Sequence, residues 1–375
     1  MAGVLRVLLN VAEKAANIAR VCRQEATLFK LLVQEKTGSD KNKKFVQDFK
    51  TLADVVIQEM IRHDVGREFP ELVGFIRGEE SNKFENGLGD SVTVRVCSTQ
   101  EETAALLSAV LNGNKMAASL LAQAIHQDLQ VTDPVGAALQ LPLSPDSLGI
   151  WIDPIDATSQ YVEGRQDVEA NNGMYPGGLQ CSLVLIGVYL RANGEPIMGV
   201  INQPFAHRDP GGKGWSGQYF WGVSYENLNV SSLPRPAPPL VTEEQPLTVV
   251  LSSSEKDSVK QVLTPLCGGG PRYASGAGYK FLCVVLGLVD AYVVSEGSTY
   301  KWDSCAPHAI LRALGGGVAD LGQCQSLPEN GGVPELKYHQ PRAGCQGSDQ
   351  WANQSGLVAF LDPEKLKLVI RALNL

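Results

Sequence analysis

Apolar residues recur at helical spacing from the start of the chain. Leu5, Leu8, Leu9, Ala12, Ala15, Ala16 and Ala19 mark one face of a helix expected over residues 3–35. The polar, glycine-containing run from Lys36 to Lys44 then reads as a loop, either a solvated charge run or a flap over an anionic site. A second amphipathic helix is expected from Phe49 to His63, with Leu52, Val55, Val56 and Met60 as its stripe and Asp54 off it. Val73 to Ser81 reads as a short strand running into Gly78-Glu79-Glu80, and alternation at Val92, Val94 and Val96 marks a strand over 91–97. One helix is expected over 99–129.

An apolar run then leads through Trp151-Ile152 into Asp153, and Pro154 biases Asp153 towards an extended backbone. A buried strand ending at Asp153, a tight turn and a helix from about Ala157 follow from that pattern. Residues 178–190, 196–200 and 218–225 read as meander strands, with Asn193-Gly194 as a hairpin signal. Five prolines between 231 and 246 mark a linker. Beyond it, strand and helix alternate: strands over 247–252, 272–273 and 291–295, helices over 256–263, 279–288 and 306–314. This predicts two halves of α/β type, residues 1–232 and 247–375, joined by a linker over 233–246.

Composition narrows the classes. The chain has 375 residues, 44% hydrophobic and 19% charged, as in an ordinary globular protein. Its formal charge of −8 argues against nucleic-acid binding by bulk electrostatics. Eight cysteines include no CxxC pair and five histidines are scattered, which predicts reduced thiols in a cytoplasmic protein and no zinc site. The apolar N-terminus superficially resembles a signal peptide, but Glu13 and Lys14 follow at once and the helical pattern continues. No apolar run approaches membrane-spanning length.

The candidate chemistry centres on Asp153-Pro154-Ile155-Asp156-Ala157-Thr158. Two carboxylates at one turn repel unless a hard cation lies between them, and Mg²⁺ suits oxygen ligands. The free N–H groups of a helix start favour an anion beside it. A solvated turn with Asp156 as N-cap fits the same residues. Glu79-Glu80 reads either as a solvated acidic loop or, beside Asp153, as the second acidic cluster that a metal would require. Asp303 reads as an N-cap, with Pro307 in the first turn of the following helix and His308 packed within it. The glycine-rich turns at 268–270 and 276–278 match neither a Walker nor a Rossmann fingerprint. With Lys280 and Lys256 they form either a phosphate cradle or a plain connection. Ser253-to-Lys256 and Ser275 lack the partners of a serine nucleophile.

Taken in order, Glu79-Glu80, the Asp153-to-Thr158 turn and Trp302-Asp303-Ser304-Cys305-Ala306, with Asp54 upstream, resemble the inositol monophosphatase superfamily of magnesium-dependent, lithium-sensitive phosphomonoesterases. Similarity to its inositol polyphosphate branch extends over nearly the whole chain, through residues 151–164, 178–181, 199–204, 274–285 and 350–353. Pro307 departs from the family, which has a small residue there. The resemblance implies a five-layered αβαβα sandwich, with an antiparallel sheet before the linker and a mostly parallel one after it. It implies one Mg²⁺ on Glu79, Asp153 and the Ile155 carbonyl, and a second on Asp153, Asp156 and Asp303. A weaker ion and the attacking water fall to Asp54 with Glu79 and Glu80. Thr158 would orient that water, and the N–H groups of Ala157 and Thr158, beside Asp156 and Asp303, would seat the phosphate. Ser254, Lys256, Gly276 and Lys280 would hold a second phosphate. The implied activity is removal of the 1-phosphate from inositol 1,4-bisphosphate and inositol 1,3,4-trisphosphate by a monomer, with inhibition by Li⁺ and without nucleic-acid or membrane partners. A bisphosphate nucleotidase of the same superfamily and a non-catalytic inositol-phosphate or cation binder are the alternatives.

Overall fold

The computed structural model describes residues 3–24, 29, 32–38, 41–42, 48–209, 211, 214–235, 246–324 and 332–373. The first half begins with α1 (Val4–Gln24), β1 (Val33–Glu35), β2 (Phe49–Thr51), α2 (Leu52–Glu68) and β3 (Ile76–Gly78). A ribbon of β4 (Lys83–Glu85) and β5 (Ser91–Thr93) precedes α3 (Gln100–Ser108) and α4 (Lys115–His126). Then come β6 (Leu148–Asp156), α5 (Thr158–Glu163), β7 (Leu183–Leu190), β8 (Pro196–Arg208), β9 (Trp215–Tyr225) and β10 (Leu228–Ser231). The second half contains β11 (Val249–Leu251), α6 (Asp257–Leu263), β12 (Arg272–Tyr273), α7 (Ala277–Val285) and β13 (Ala291–Val294). It closes with α8 (Lys301–Leu314), β14 (Gly317–Asp320), β15 (Leu357–Phe360) and α9 (Pro363–Ala372).

A six-stranded sheet runs in the order β10-β9-β8-β7-β6-β3 and is antiparallel except where β3 joins β6. A five-stranded sheet runs β12-β11-β13-β15-β14. Three apolar clusters separate five layers. Leu8, Ile18 and Ile57 of α1 and α2 pack on Ile150, Ile152 and Val184 of the first sheet. Leu185 and Ile201 on its other face meet Phe281, Ala306 and Ile310 of α7 and α8, which also cover Tyr292 and Ala359 of the second sheet. Leu263, Leu366 and Val369 cover that sheet's outer face at Val249, Val293 and Val358. The order is therefore αβαβα. Covered on both sides, β6 is buried along all nine residues, which is why its sequence is continuously apolar up to the carboxylates.

The middle layer approaches the first sheet very closely because three glycines lie in register across it. Gly187 pairs with Gly199, and Gly199 with Gly222. A Cβ at Gly199 would collide with the carbonyl oxygen of Ala306, one at Gly187 would lie 2.5 Å from Ala306 N, and one at Gly222 would lie 2.7 Å from Ile310 Cα. The backbone of α8 thus rests on a strip without side chains. That seating fixes where Asp303, in its first turn, can reach.

Several expectations need correction. The helix expected over 3–35 is described over Val4–Gln24, with Phe29 again helical, and Val33–Glu35 pairs as a strand with Phe49–Thr51 instead of continuing it; a short apolar run such as 31–33 carries no period of its own. The strand expected over 91–97 is only Ser91–Thr93, and the helix expected over 99–129 is two. Asn112 and Gly113 adopt left-handed conformations that stop the first helix, and Asn114 caps the second by accepting from Ala117 N. The strand through Asp153 runs on to Asp156. The second sheet is mostly parallel as expected, with β11, β12, β13 and β14 running the same way, and β15 alone inserts antiparallel between β13 and β14. The helix expected over 306–314 is α8, which begins at Lys301, so Asp303 is its third residue rather than its N-cap and Pro307 lies inside it. Pro307 has no N–H for the carbonyl of Asp303, leaving the turn beside that carboxylate without its helical bond. Residues 236–245 of the linker, and 39–40 and 43–47 of the lysine-rich run, lie outside the described residues. Among the described residues no helix is long and apolar enough to cross a membrane.

Gly199→Ala is expected to cost about 2–3 kcal/mol of stability, the scale of overpacking a close-packed contact. Urea unfolding checks this, and an unchanged midpoint and slope would mean that α8 does not rest on the glycine strip.

Candidate functional site

In β6, Asp153 and Asp156 are an odd number of residues apart, so a regular strand would point them to opposite faces. The ladder prevents this: Asp153 pairs with Leu185 but Asp156 with Leu183, so three steps on β6 match two on β7. Pro154, which cannot donate to a ladder, lies within this bulge. Both carboxylates consequently face one cavity of about 400 Å³ at the end of the sheet. Ala157 follows in the left-handed conformation (φ 63°, ψ 46°), turning the chain sharply into α5. The Thr158 hydroxyl donates back to the Ile155 carbonyl at 3.0 Å.

Asp303 enters from the other half. Its Oδ2 accepts from Tyr300 N at 2.6 Å, and Asn353 ties the same turn together by donating to the Tyr300 carbonyl, Thr299 Oγ1 and Ser304 Oγ. Ligand oxygens of Asp153, Asp156 and Asp303 lie within 4.8 Å of one another, and all three residues are buried. Burial and mutual repulsion push Asp153 and Asp303 well above the usual carboxylate range. Asp156 is pushed up to about 6, mainly by burial, although N–H groups of Gly278 and Tyr279 and the charge of Lys280 pull the other way. Asp153 Oδ1 and Asp156 Oδ2 have no hydrogen-bond partner among the described residues. Buried, unpartnered anionic oxygens at this spacing match the donor set of a hard divalent cation.

The remaining acids form a second group behind the first. Asp54 is the third residue of α2, where a reciprocal cap with Thr51 uses its Oδ2 and leaves the buried Oδ1 without a partner among the described residues. Capping, not the apolar stripe, puts it inside. Burial pushes it up to about 7. Glu79 lines the cavity, while Glu80 turns inward, its backbone N–H and C=O both held by Gln58. Burial pushes Glu80 up to about 8 against the pull of Lys36.

Of the residues expected at the site, Glu79, Asp153, Ile155, Asp156, Ala157, Thr158, Ser254, Gly276, Lys280 and Asp303 line one cavity. Asp54, Glu80 and Lys256 do not. The Lys256 ammonium is half-exposed and paired with Glu296 at 3.0 Å. Lys280 is buried, donates to the carbonyls of Ala274 and Gly276, and lies over the Tyr292 ring, with burial lowering its pKa. Gly276, at φ 81°, lets the chain pass Asp156: a Cβ there would sit 2.9 Å from Asp156 Oδ2. Two residues were not anticipated. Glu255 is buried and accepts from Lys256 N, Ser295 N and Ser295 Oγ, anchoring the 253–256 turn to the end of β13. Lys36 is buried against Glu79 and Glu80. No local pattern marks either one.

Proton linkage follows from these shifts. Carboxylates whose pKa values rise on folding make the folded chain bind more protons than the unfolded one, so stability falls as pH rises through the folded values. Buried His308, lowered from 6.5 by desolvation, acts oppositely at lower pH. The informative window is therefore about pH 6.5 to 8, spanning Asp54 at about 7 and Glu80 at about 8. In chelator the melting temperature is expected to fall across this window, and saturating Mg²⁺ to remove most of the fall. A rise in chelator would contradict the shifts.

Comparison with known proteins follows the same outline. Residues 4–362 match the model of the inositol monophosphatase family. The mouse inositol polyphosphate 1-phosphatase is 50% identical over 378 residues, covering 98% of this chain and 96% of its own. The extragenic suppressor protein suhB from Bartonella henselae superposes with a TM-score of 0.54 at 13% identity, covering 99% of this chain and 98% of that one. An IMPase/NADP phosphatase solved with Mg²⁺ and phosphate superposes with a TM-score of 0.50 at 13% identity, covering 94% and 90%. The chain belongs to the inositol monophosphatase family.

Proposed function

We propose that the chain is a Mg²⁺-dependent, lithium-sensitive phosphomonoesterase that removes the 1-phosphate of inositol 1,4-bisphosphate and inositol 1,3,4-trisphosphate. The observation that carries this reading is the convergence of Asp153, Asp156 and Asp303, from both halves of the chain, with unpartnered oxygens in one cavity. The half-identical mouse relative, named as an inositol polyphosphate 1-phosphatase, supports the substrate class.

Glu79, Asp153 and the Ile155 carbonyl would hold one Mg²⁺, and Asp153, Asp156 and Asp303 a second, making Asp153 the shared ligand. Asp54 with Glu79 and Glu80 would hold a weaker ion. When bound, such ions supply charge that lowers the pKa of a water and stabilises both the entering and the departing oxygen. The chain's own groups do the positioning. Because the Thr158 proton is committed to the Ile155 carbonyl, its hydroxyl offers only lone pairs to a water, which orients that water's hydrogens. Asp54 Oδ1, buried and unpartnered among the described residues, is a second acceptor for it. Backbone N–H groups at Ala157 and Thr158 would seat the phosphate beside Asp156 and Asp303. This assigns no covalent phosphoenzyme, and burial raises Cys181, Cys283 and Cys305, making them poor nucleophiles.

The division at residues 233–246 becomes a division of labour in this reading. The first half carries most metal ligands; the second carries Asp303 and the residues for a second phosphate, Ser254, Lys256, Gly276 and Lys280. Lys280 commits donors to two carbonyls and keeps one for substrate. A phosphate reaching Lys256 must compete with Glu296. Eight free thiols support a reducing, cytoplasmic setting, and the charge of −8 supports the absence of a nucleic-acid partner. We assign no membrane partner and a chain acting as a monomer.

Phosphate release from inositol 1,4-bisphosphate and from 3′-phosphoadenosine 5′-phosphate in Mg²⁺, with and without Li⁺, tests the assignment. Faster turnover of the inositol substrate and inhibition by Li⁺ are expected; faster turnover of the nucleotide would make the chain a bisphosphate nucleotidase. Lys280→Ala should lower kcat/KM for the bisphosphate about 10- to 100-fold, the scale of one charged hydrogen bond, and affect an inositol monophosphate much less. Equal losses on both would remove Lys280 from the second-phosphate site.

A further inference from the structure

Lys36 stands just past β1, and its N–H donates to the Asp48 carbonyl at 2.7 Å, closing the strand pair that leads into α2. Its side chain turns inward and is 2% exposed. The ammonium lies 2.5 Å from Glu79 Oε1, 2.5 Å from Glu80 Oε1 and 4.0 Å from Asp48 Oδ1. Glu80 is equally buried, while Glu79 is also a wall of the cavity that holds Asp153. One buried cation thus bridges two adjacent carboxylates, the arrangement a divalent ion would otherwise make.

We infer that Lys36 is a built-in counter-cation that competes with a divalent ion for the Glu79–Glu80 pair, so that the substrate-free centre gathers its ions around Asp153. This rests on the metal reading above and adds to it the reason one ion position is weak. Mg²⁺ sheds its waters reluctantly and demands near-octahedral oxygens. Against it stands an ammonium already desolvated, hydrogen-bonded to Glu79 and ion-paired with Glu80, whose displacement would leave a buried charge facing the incoming ion. Lys280 has no such role at the other edge, because its donors go to carbonyls and not to the acids.

The test counts ions on the full-length, substrate-free protein by titrating Mn²⁺ and following the electron paramagnetic resonance of the free ion. Lys36→Met and Lys36→Gln should each gain one Mn²⁺ per chain, bound at least about tenfold more tightly than any ion the unaltered protein takes up beyond its own count, a difference of about 1.4 kcal/mol. Lys36→Arg, which keeps the charge, should retain the unaltered count. Unchanged counts and affinities in both neutral variants would overturn the inference, since the carboxylates would then hold protons and not an ion. Loss of Mn²⁺ in the arginine variant as well as the neutral ones would also overturn it, reducing Lys36 to a staple of the strand pair. Failure of the unaltered protein to bind Mn²⁺ at all would instead defeat the metal reading and leave a distinct signature.

Discussion

Six carboxylates that repel one another, Asp54, Glu79, Glu80, Asp153, Asp156 and Asp303, are held where most of them cannot reach water. Nothing in their own chemistry favours this, because each buried charge loses hydration and gains like neighbours. The chain tolerates the cluster by placing a buried lysine at each side, Lys36 against Glu79 and Glu80, and Lys280 within the field of Asp156 and Asp303. Backbone donors at Thr51, Gly278, Tyr279 and Tyr300 satisfy part of the remainder. Of the oxygens still left over, those of Asp153 and Asp156 belong to residues that line the cavity, and Asp54 Oδ1 lies behind them. The fold therefore stores a deficit of positive charge at one place, which protons or a divalent cation would relieve.

Much of the architecture can be read as the means of bringing those groups together. A bulge at Pro154 aims two carboxylates of one strand the same way. The strip of Gly187, Gly199 and Gly222 lowers α8 onto the sheet until Asp303 meets them. Asn353, from the last loop before β15, clamps the start of that helix at three points. Glu255 performs the same service for the turn that carries Ser254 and Lys256. These supporting residues set the distances at which the acids and the 253–256 turn meet.

What the sequence discloses divides along a physical line. Covalently adjacent groups were legible: Glu79-Glu80 and the turn from Asp153 to Thr158 announce a charge problem wherever the chain goes. Strongly periodic segments such as α1 were legible over their cores, and so was the alternation behind β11, α6, β13 and α8. Contacts made across the fold were not. Asp54 lies off its helix's apolar stripe and is buried by a capping box whose meaning depends on what stands opposite. Lys36 reads as one of several lysines in a polar run, and only the pairing of β1 with β2 sends it inward. The antiparallel insertion of β15 and the interior position of Pro307 depend equally on long-range packing that no local pattern encodes.

The central claim is that Asp153 is shared between divalent ions held by both halves of the chain. Anomalous diffraction from crystals saturated with Mn²⁺ examines it most directly. Two strong peaks are predicted on either side of the Asp153 carboxylate, one towards Glu79 and the Ile155 carbonyl, the other towards Asp156 and Asp303. Saturated crystals with no peak within coordination distance of Asp153 would contradict it.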